Sequence, residues 1–384
     1  MNRVHLNTAG AGLMSSATLN AIQRFTSIEA QIGSYEAELA YEELLNVDLY
    51  RVMAGLLNAQ PSQIGFFSSA TEAWTSILGK LQFPRGKRVW VSTSEYAANL
   101  IFFNYLKLSS DIRVEVIPTT ATSPLDLEWV RRHLDDDVFL VSVSHLPSCC
   151  GVINPVEALG ALLKDANALY VVDACQSLGQ LPLDVRDIHC DLLTGAGRKF
   201  LCGPRGSGVA YVSPRLLGQL QLNFADLHAA STDGQVNRLD VASARVLEIA
   251  EKSLSAQVGM HTALQEYVQV GGGQVSTEPY ALLAKELRRL PQLTIMCDQF
   301  EQTGIVSFVP HNLPAKAFVG QARELGLNLW AGTTAHTPLL LKDLGVTHFV
   351  RASVGRHITL AQVEQALLTL RSFVVLGTYW AAMA

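Results

Sequence analysis

An α/β fold built on a mostly parallel sheet follows from three features of the chain. Short apolar runs alternate with helical stretches from about residue 60 to 212. The runs are apolar on both faces, as strands covered by helices on two sides must be. The spacing of the repeat requires right-handed crossovers between strands.

The elements read off in order. Residues 64–67 form a strand and 71–81 a helix; 88–91 form the next strand and 99–108 its helix. Residues 114–117, 138–143 and 168–172 are strands, separated by helices over 126–134 and 155–164. Asp173 ends the last of these strands. Leu192-Leu193 and residues 209–212 complete the series as short strands. After about Pro214 the composition shifts. A long helical region is expected over 240–260 and 262–270, broken by Gly271-Gly272-Gly273. A strand over 305–309 and an amphipathic helix over 360–373 follow. The 384 residues allow two domains. The expected division is a large domain over 15–250 and a small one made of 1–14 with 251–384.

Composition narrows the function classes. Apolar residues make up 49% of the chain and charged residues 16%, with a mean hydropathy of +0.21. That surplus of apolar residues suits either a large core or burial between subunits of a homo-oligomer. The net charge of −5, without a long basic stretch, excludes nucleic acid as a partner. The first residues lack a charged segment followed by an apolar one, so no secretion signal is expected. The run 367–384 is interrupted by Arg371, Ser372 and Gly377, and no membrane span is expected. None of the six cysteines forms a CxxC pair, and no histidines accompany them at zinc spacing. No metal site and no disulfide framework are expected, and a reducing, cytoplasmic setting suits such cysteines.

In open α/β sheets ligands bind beyond the carboxyl ends of the strands. Two segments there carry chemistry. In Tyr170-Val171-Val172-Asp173-Ala174-Cys175-Gln176 a carboxylate ends a buried strand. It is either a helix cap or a partner for a ligand cation. In residues 191–208, Lys199 lies among glycines that permit close approach of backbone to a ligand. It is either an exposed loop lysine or a Schiff-base lysine, which needs a partly desolvated amine.

Together these segments resemble the class V aminotransferase family of pyridoxal-phosphate enzymes, which includes the cysteine desulfurases. The family pattern V-D-x-x-Q, then a small-residue turn ending in Lys, then G-P-x-G-x-G, is matched by Val172-Asp173-Ala174-Cys175-Gln176, Lys199 and Gly203-Pro204-Arg205-Gly206-Ser207-Gly208. Ser69-Ala70-Thr71-Glu72-Ala73 is similar to the family's G-A-T-E-A. The resemblance implies fold type I, with a seven-stranded-type sheet sandwiched by helices and a smaller α+β carboxyl-terminal domain. It implies a homodimer, an amino-acid substrate and the following roles. Lys199 carries the cofactor and then takes the Cα proton. Asp173 holds the pyridine nitrogen and Gln176 the phenolic oxygen. Ala70, Thr71 and Arg198 hold the phosphate. Tyr96 stacks on the ring. Ser148, in Ser144-His145-Leu146-Pro147-Ser148, lies near the phenolic oxygen or the substrate. Arg351 of Arg351-Ala352-Ser353 pairs the substrate carboxylate, a task suited to a bidentate guanidinium.

The chain departs from the pattern at two places. Arg198 and Ala196 stand where many relatives have His and Ser or Thr. Desulfurases take sulfur on a mobile cysteine upstream of R-A-S, and residues 329–336 contain none. Cys297 lies too early. Cys149-Cys150, near the active-site loop, are either a substitute or packed core. The preferred reaction is therefore C–S β-elimination. Transamination, epimerisation and a non-catalytic cofactor-binding role stay open. A nucleotide-binding protein is disfavoured, because no G-x-G-x-x-G follows the first strand. The segments His5 to Met14 and Glu29 to Ala37 resemble the C–S lyases of ergothioneine biosynthesis, the hercynylcysteine sulfoxide lyases, and place Ala9 and Gly10 with the substrate. Residues 237–245 are a candidate to reach across a dimer interface.

Overall fold

The computed structural model describes residues 3–222, 229–235, 237–239, 242–272 and 277–381. Among them a seven-stranded sheet runs in the order Ile64–Phe67, Gly208–Val212, Leu192–Ala196, Leu169–Asp173, Val138–Ser144, Arg88–Ser92 and Arg113–Ile117. The five strands from Leu192–Ala196 to Arg113–Ile117 pair in parallel. Gly208–Val212 alone is antiparallel to both its neighbours. It returns directly from Leu192–Ala196 without a crossover helix, so the connecting turn, which holds Lys199, stays at the carboxyl edge of the sheet.

Side-chain alternation explains why the strands read as continuous apolar runs. Val141, Val143, Tyr170 and Val172 enter the core on one face. Leu140, Leu169 and Val171 enter the core on the other. Both faces are buried, so a period of two leaves no polar face.

A second, antiparallel sheet of four strands runs Leu293–Ile295, Ile305–Pro310, His348–Ser353, Trp330–Thr333. The helices Glu278–Arg288, Ala315–Glu324 and Leu360–Ala381 accompany it, and its core includes Leu283, Phe318 and Val363. The amino-terminal Val4–His5 pairs with Leu327–Asn328, and Leu6 enters that core.

Three expectations change. The helical region expected from Asp240 begins as a helix only at Leu254; Ala244–Leu247 is one 3₁₀ turn, and Asp240, Val241 and Gly273 lie outside the described residues. The reason is Glu248. Its carboxylate accepts from the Tyr50 hydroxyl at 2.8 Å, the Phe66 amide at 2.8 Å and the Lys252 ammonium at 2.6 Å. Those bonds hold Glu248 in extended conformation against the edge strand, overriding local helix preference. Second, the helix Leu254–Gln269, expected in the smaller domain, packs Met260, Leu264 and Tyr267 into the core of the large sheet. Third, the last helix runs on to Ala381 rather than ending near 373. Of the segment expected to reach a partner, Arg245 is held within its own chain. Its guanidinium lies 4.2 Å from the Tyr50 ring centroid and donates to the Asn46 side chain at 2.8 Å. Among the described residues no helix is long and apolar enough to cross a membrane.

Replacing Glu248 by Ala leaves three buried or half-buried donors without their acceptor. The expected loss is about 3 kcal/mol of unfolding free energy, measured by urea denaturation.

Candidate active site

The carboxyl ends of Leu169–Asp173 and Leu192–Ala196 open onto a cleft of about 280 Å³. Lys199 and Asp173 both line it, as do Ala70, Thr71, Tyr96, Ser148, Gln176 and Arg198. Three pieces of local structure build it.

The first is the end of the Asp173 strand. Asp173 Oδ1 accepts from the Cys175 amide at 2.9 Å and Oδ2 from Asn99 Nδ2 at 3.3 Å. A turn rather than a helix follows, so the helix-cap reading of this carboxylate fails. Gln176 donates through Nε2 to the Ala9 carbonyl at 3.2 Å, and its buried Oε1 has no partner.

The second is the Lys199 turn. The Gly197 amide donates to the Ser207 carbonyl at 2.9 Å, and the Gly203 amide to the Gly197 carbonyl at 2.8 Å. A Cβ on Gly197 would lie 2.4 Å from Ser207 Oγ and 2.5 Å from Met260 Sδ. The turn can fold back this tightly only with glycine there.

The third is the start of helix Ala70–Leu78. Ser69 caps it, accepting from the Glu72 amide at 3.0 Å. A Cβ on Gly208 would sit 2.2 Å from the Ser69 carbonyl carbon, so the neighbouring strand reaches the helix start only because that residue is glycine. First-turn amides and the helix dipole favour an anion where Ser69, Ala70 and Thr71 meet the cleft.

The remaining expected residues lie outside the lining. Arg351, in the strand His348–Ser353, is 4% exposed. It donates to the Ser148 carbonyl at 2.7 Å and to Asn7 Oδ1 at 3.2 Å, and lies 4.5 Å from the Trp330 ring centroid. Its Nε is buried without a partner. Burial lowers its pKa to about 10, which still leaves a cation at neutral pH. Through Ser148 it abuts the cleft wall. Ala9 and Gly10 are tied to the site's supports instead. The Ala9 amide donates to Ser353 Oγ at 2.9 Å, and the Gly10 carbonyl accepts from the Arg198 guanidinium. A segment so far away in sequence can occupy this position only through the tertiary fold.

Sequence reasoning missed Trp74, Asn99, Arg205 and Ser207, which also line the cleft. Asn99 had a readable signal: a polar residue four positions after Glu95, at the start of an apolar helix. Cys175 lines the cleft, and burial, with Asp173 beside it, pushes its thiol well up. Cys149 and Cys150 are buried with sulfurs 3.9 Å apart and do not line it. Residues 329–336, which contain no cysteine, hold the strand Trp330–Thr333 beside Arg351.

The family model described as Aminotransferase class-V matches residues 4–366. The chain therefore belongs to the class V aminotransferase family of pyridoxal-phosphate-dependent enzymes. It is 24% identical over 336 residues to a probable cysteine desulfurase of Pyrococcus abyssi, covering 84% of this chain and 82% of that one. The fold superposes on the apo cysteine desulfurase of Thermococcus onnurineus NA1 with a TM-score of 0.87 at 20% identity, covering 97% of this chain and 95% of the other. It also superposes on the cystine C–S lyase C-DES, solved with its product cysteine persulfide, at a TM-score of 0.85 and 21% identity, covering 96% and 97%. At these identities the structural likeness shows the fold, which is the type I fold expected from the sequence.

The cleft fits the family's cofactor on the chemistry of its donors. It has a carboxylate for a ring nitrogen, a helix start for a phosphate and a lysine for an aldehyde. Glycine at 197 and 208 lets the Lys199 turn pack on Ser207 and Met260, and the edge strand pack on the helix start, which brings these donors to one cleft.

His145 gives a test of the site's frame. Its amide donates to the Asp173 carbonyl at 2.9 Å, its Nδ1 is buried without a partner, and burial lowers its pKa to about 4 from 6.5. A depressed base gives stability that is full above pH 6.5 and is lost as pH falls toward 4. The His145→Gln variant should lose less stability than wild type across that window, by about 3 kcal/mol at most, read from denaturation curves at stepped pH.

Proposed function

We propose that this enzyme cleaves a C–S bond at Cβ of a cysteine-derived amino acid by β-elimination. The observation that carries the reading is a Lys199–Asp173 cleft without a competent sulfur acceptor. Cys175 is held as a thiol by burial and Asp173, and residues 329–336 offer none. The similar proteins include one named for cystine C–S lysis, which supports the choice of a Cβ–S substrate. A hercynylcysteine sulfoxide is a candidate substrate because of the amino-terminal motif.

Pyridoxal phosphate, when bound, supplies an electron sink that makes the Cα proton of an amino acid removable. The residues do the rest. Asp173, oriented by the Cys175 amide and Asn99, holds a proton on the ring nitrogen. Ala70 and Thr71 bind the phosphate at the helix start. Arg198 is placed to bind the phosphate or to fix the Gly10 carbonyl at the cleft edge. Tyr96, in the cleft lining, would pack on the ring. Lys199 would hold the cofactor's aldehyde, and its amine would take the proton from Cα of the substrate. Arg351 receives the α-carboxylate, exchanging its bonds to the neutral Ser148 and Asn7 oxygens for a charge-assisted pair. Ser148 and the Ala9-Gly10 segment shape the substrate side.

Lys199→Ala should lose the visible absorbance of the cofactor-loaded protein and lower turnover by about 100- to 10,000-fold. The test is release of ammonia and a 2-oxo acid from S-substituted cysteines, cysteine sulfoxides included. Transamination would instead bleach the absorbance in one turnover without ammonia, and that outcome would sink the elimination reading.

A homodimer belongs to the same reading. Ile101, Tyr105 and Leu108 form an exposed stripe on the helix Ala97–Ser110, which starts beside the cleft at Tyr96. Their spacing of four and three places them on one face, and burying it against a second copy removes apolar surface from water. Tyr105→Glu combined with Leu108→Glu should convert a dimer into a monomer in light scattering.

A further inference from the structure

One buried carboxyl is used by no step above. Glu95 is fully enclosed, and four donors converge on it. Its Oε1 accepts from Asn99 Nδ2 at 2.7 Å, the Tyr96 amide at 3.1 Å and Ser144 Oγ at 3.2 Å. Its Oε2 accepts from Ser142 Oγ at 2.9 Å. The same Asn99 Nδ2 donates to Asp173 Oδ2 at 3.3 Å. One amide nitrogen thus bridges two carboxyl groups. Ser144 is also the register partner of Asp173 in the neighbouring strand, so one rung of the sheet carries both Asp173 and a donor to Glu95.

Among the described residues no cation pairs with Glu95. Asn99 and the Tyr96 amide face it from its own segment, Ser142 and Ser144 from the next strand, and the charged group acting on it is Asp173. Two negative charges this close in a dry site repel, and the repulsion is relieved by a proton on Glu95 or by a cation on the far side of Asp173.

We propose that Glu95 is a positioning residue: through Asn99 it fixes the Asp173 carboxylate against the cofactor's ring nitrogen, and its own proton responds to the charge held there. The proposal rests on the reading of the cleft as the pyridoxal-phosphate site. With a pyridinium proton against Asp173, Glu95 can release its own proton to solvent. Without one, it retains it. Burial, with Asp173 adding to the effect, pushes Glu95 up to about 7, so the exchange falls near neutral pH.

The test compares wild type, Glu95→Gln, Glu95→Ala and Asn99→Ala, each loaded with pyridoxal phosphate. The visible spectrum is followed between about pH 5.5 and 8.5. Wild type should show a spectral transition near neutrality. Glu95→Gln, which keeps the shape and fixes the neutral form, should retain the cofactor and flatten that transition. Glu95→Ala and Asn99→Ala should weaken cofactor affinity by about tenfold or more, because Asp173 loses its brace. In the apo-protein, a carboxyl raised on folding gives stability that is full below 4.5 and is lost as pH rises through about 7. The melting temperature of Glu95→Gln should therefore rise relative to wild type across that window. A spectral transition unchanged in Glu95→Gln, wild-type affinity in Glu95→Ala, or a flat apo-protein difference overturns the proposal. A wild-type protein that takes up no cofactor overturns the reading of the cleft, whereas a yellow wild type with any of those three results overturns this inference alone.

Discussion

The antiparallel return of one strand governs the site. Leu192–Ala196 runs with its neighbours toward the carboxyl edge, and Gly208–Val212 comes straight back beside it. A crossover helix would have carried the chain away across a face of the sheet. The direct return keeps residues 197–207 at the edge where Asp173 also ends. Strand Ile64–Phe67 then pairs outside Gly208–Val212 and delivers the start of helix Ala70–Leu78 to the same place. A lysine, a carboxylate and a helix amino terminus meet because three strands end along the same edge of the sheet.

Close packing makes that meeting possible and leaves little slack. The backbone at Gly208 passes within a Cβ's reach of Ser69, and the turn at Gly197 folds onto Ser207 and Met260. Met260 belongs to the helix Leu254–Gln269, which packs on the large sheet. The placement of that helix therefore bears on the Lys199 turn. Glu248, anchored to Tyr50 and Phe66, holds the approach to the helix. The chain thus connects a buried hydrogen-bond anchor at one edge of the sheet to the turn that carries the reactive amine.

Charge in the site is arranged in layers. Arg351 is desolvated and held by neutral oxygens, so its cation is available to an anion that comes within reach. Asp173 faces the cleft, while Glu95 and His145, both buried and both shifted toward their neutral forms by that burial, stand behind it. A polar frame of Asn99, Ser142 and Ser144 satisfies the buried carboxyl without adding charge. Such a frame holds a carboxylate in place in a dry site, where an unpaired polar group is costly.

The sequence by itself determined the layered sheet, since strands buried on both faces must read as unbroken apolar runs. Strand ends and glycine-bearing turns marked Asp173 and Lys199 as local signals, and the motif resemblance added Thr71, Gln176 and Arg198, which line the same cleft. Only the tertiary structure decided what lies behind them. Asn7, Ala9 and Gly10 reach Arg351, Ser353, Gln176 and Arg198 across more than 160 residues of sequence. Glu248 cuts short a helix that local propensity favours, because its partners Tyr50 and Phe66 are distant in the chain. Asn99 joins Glu95, its helix-spaced neighbour, to Asp173 on another strand. Periodicity reports which face of an element is buried; which distant group it meets there is settled by packing.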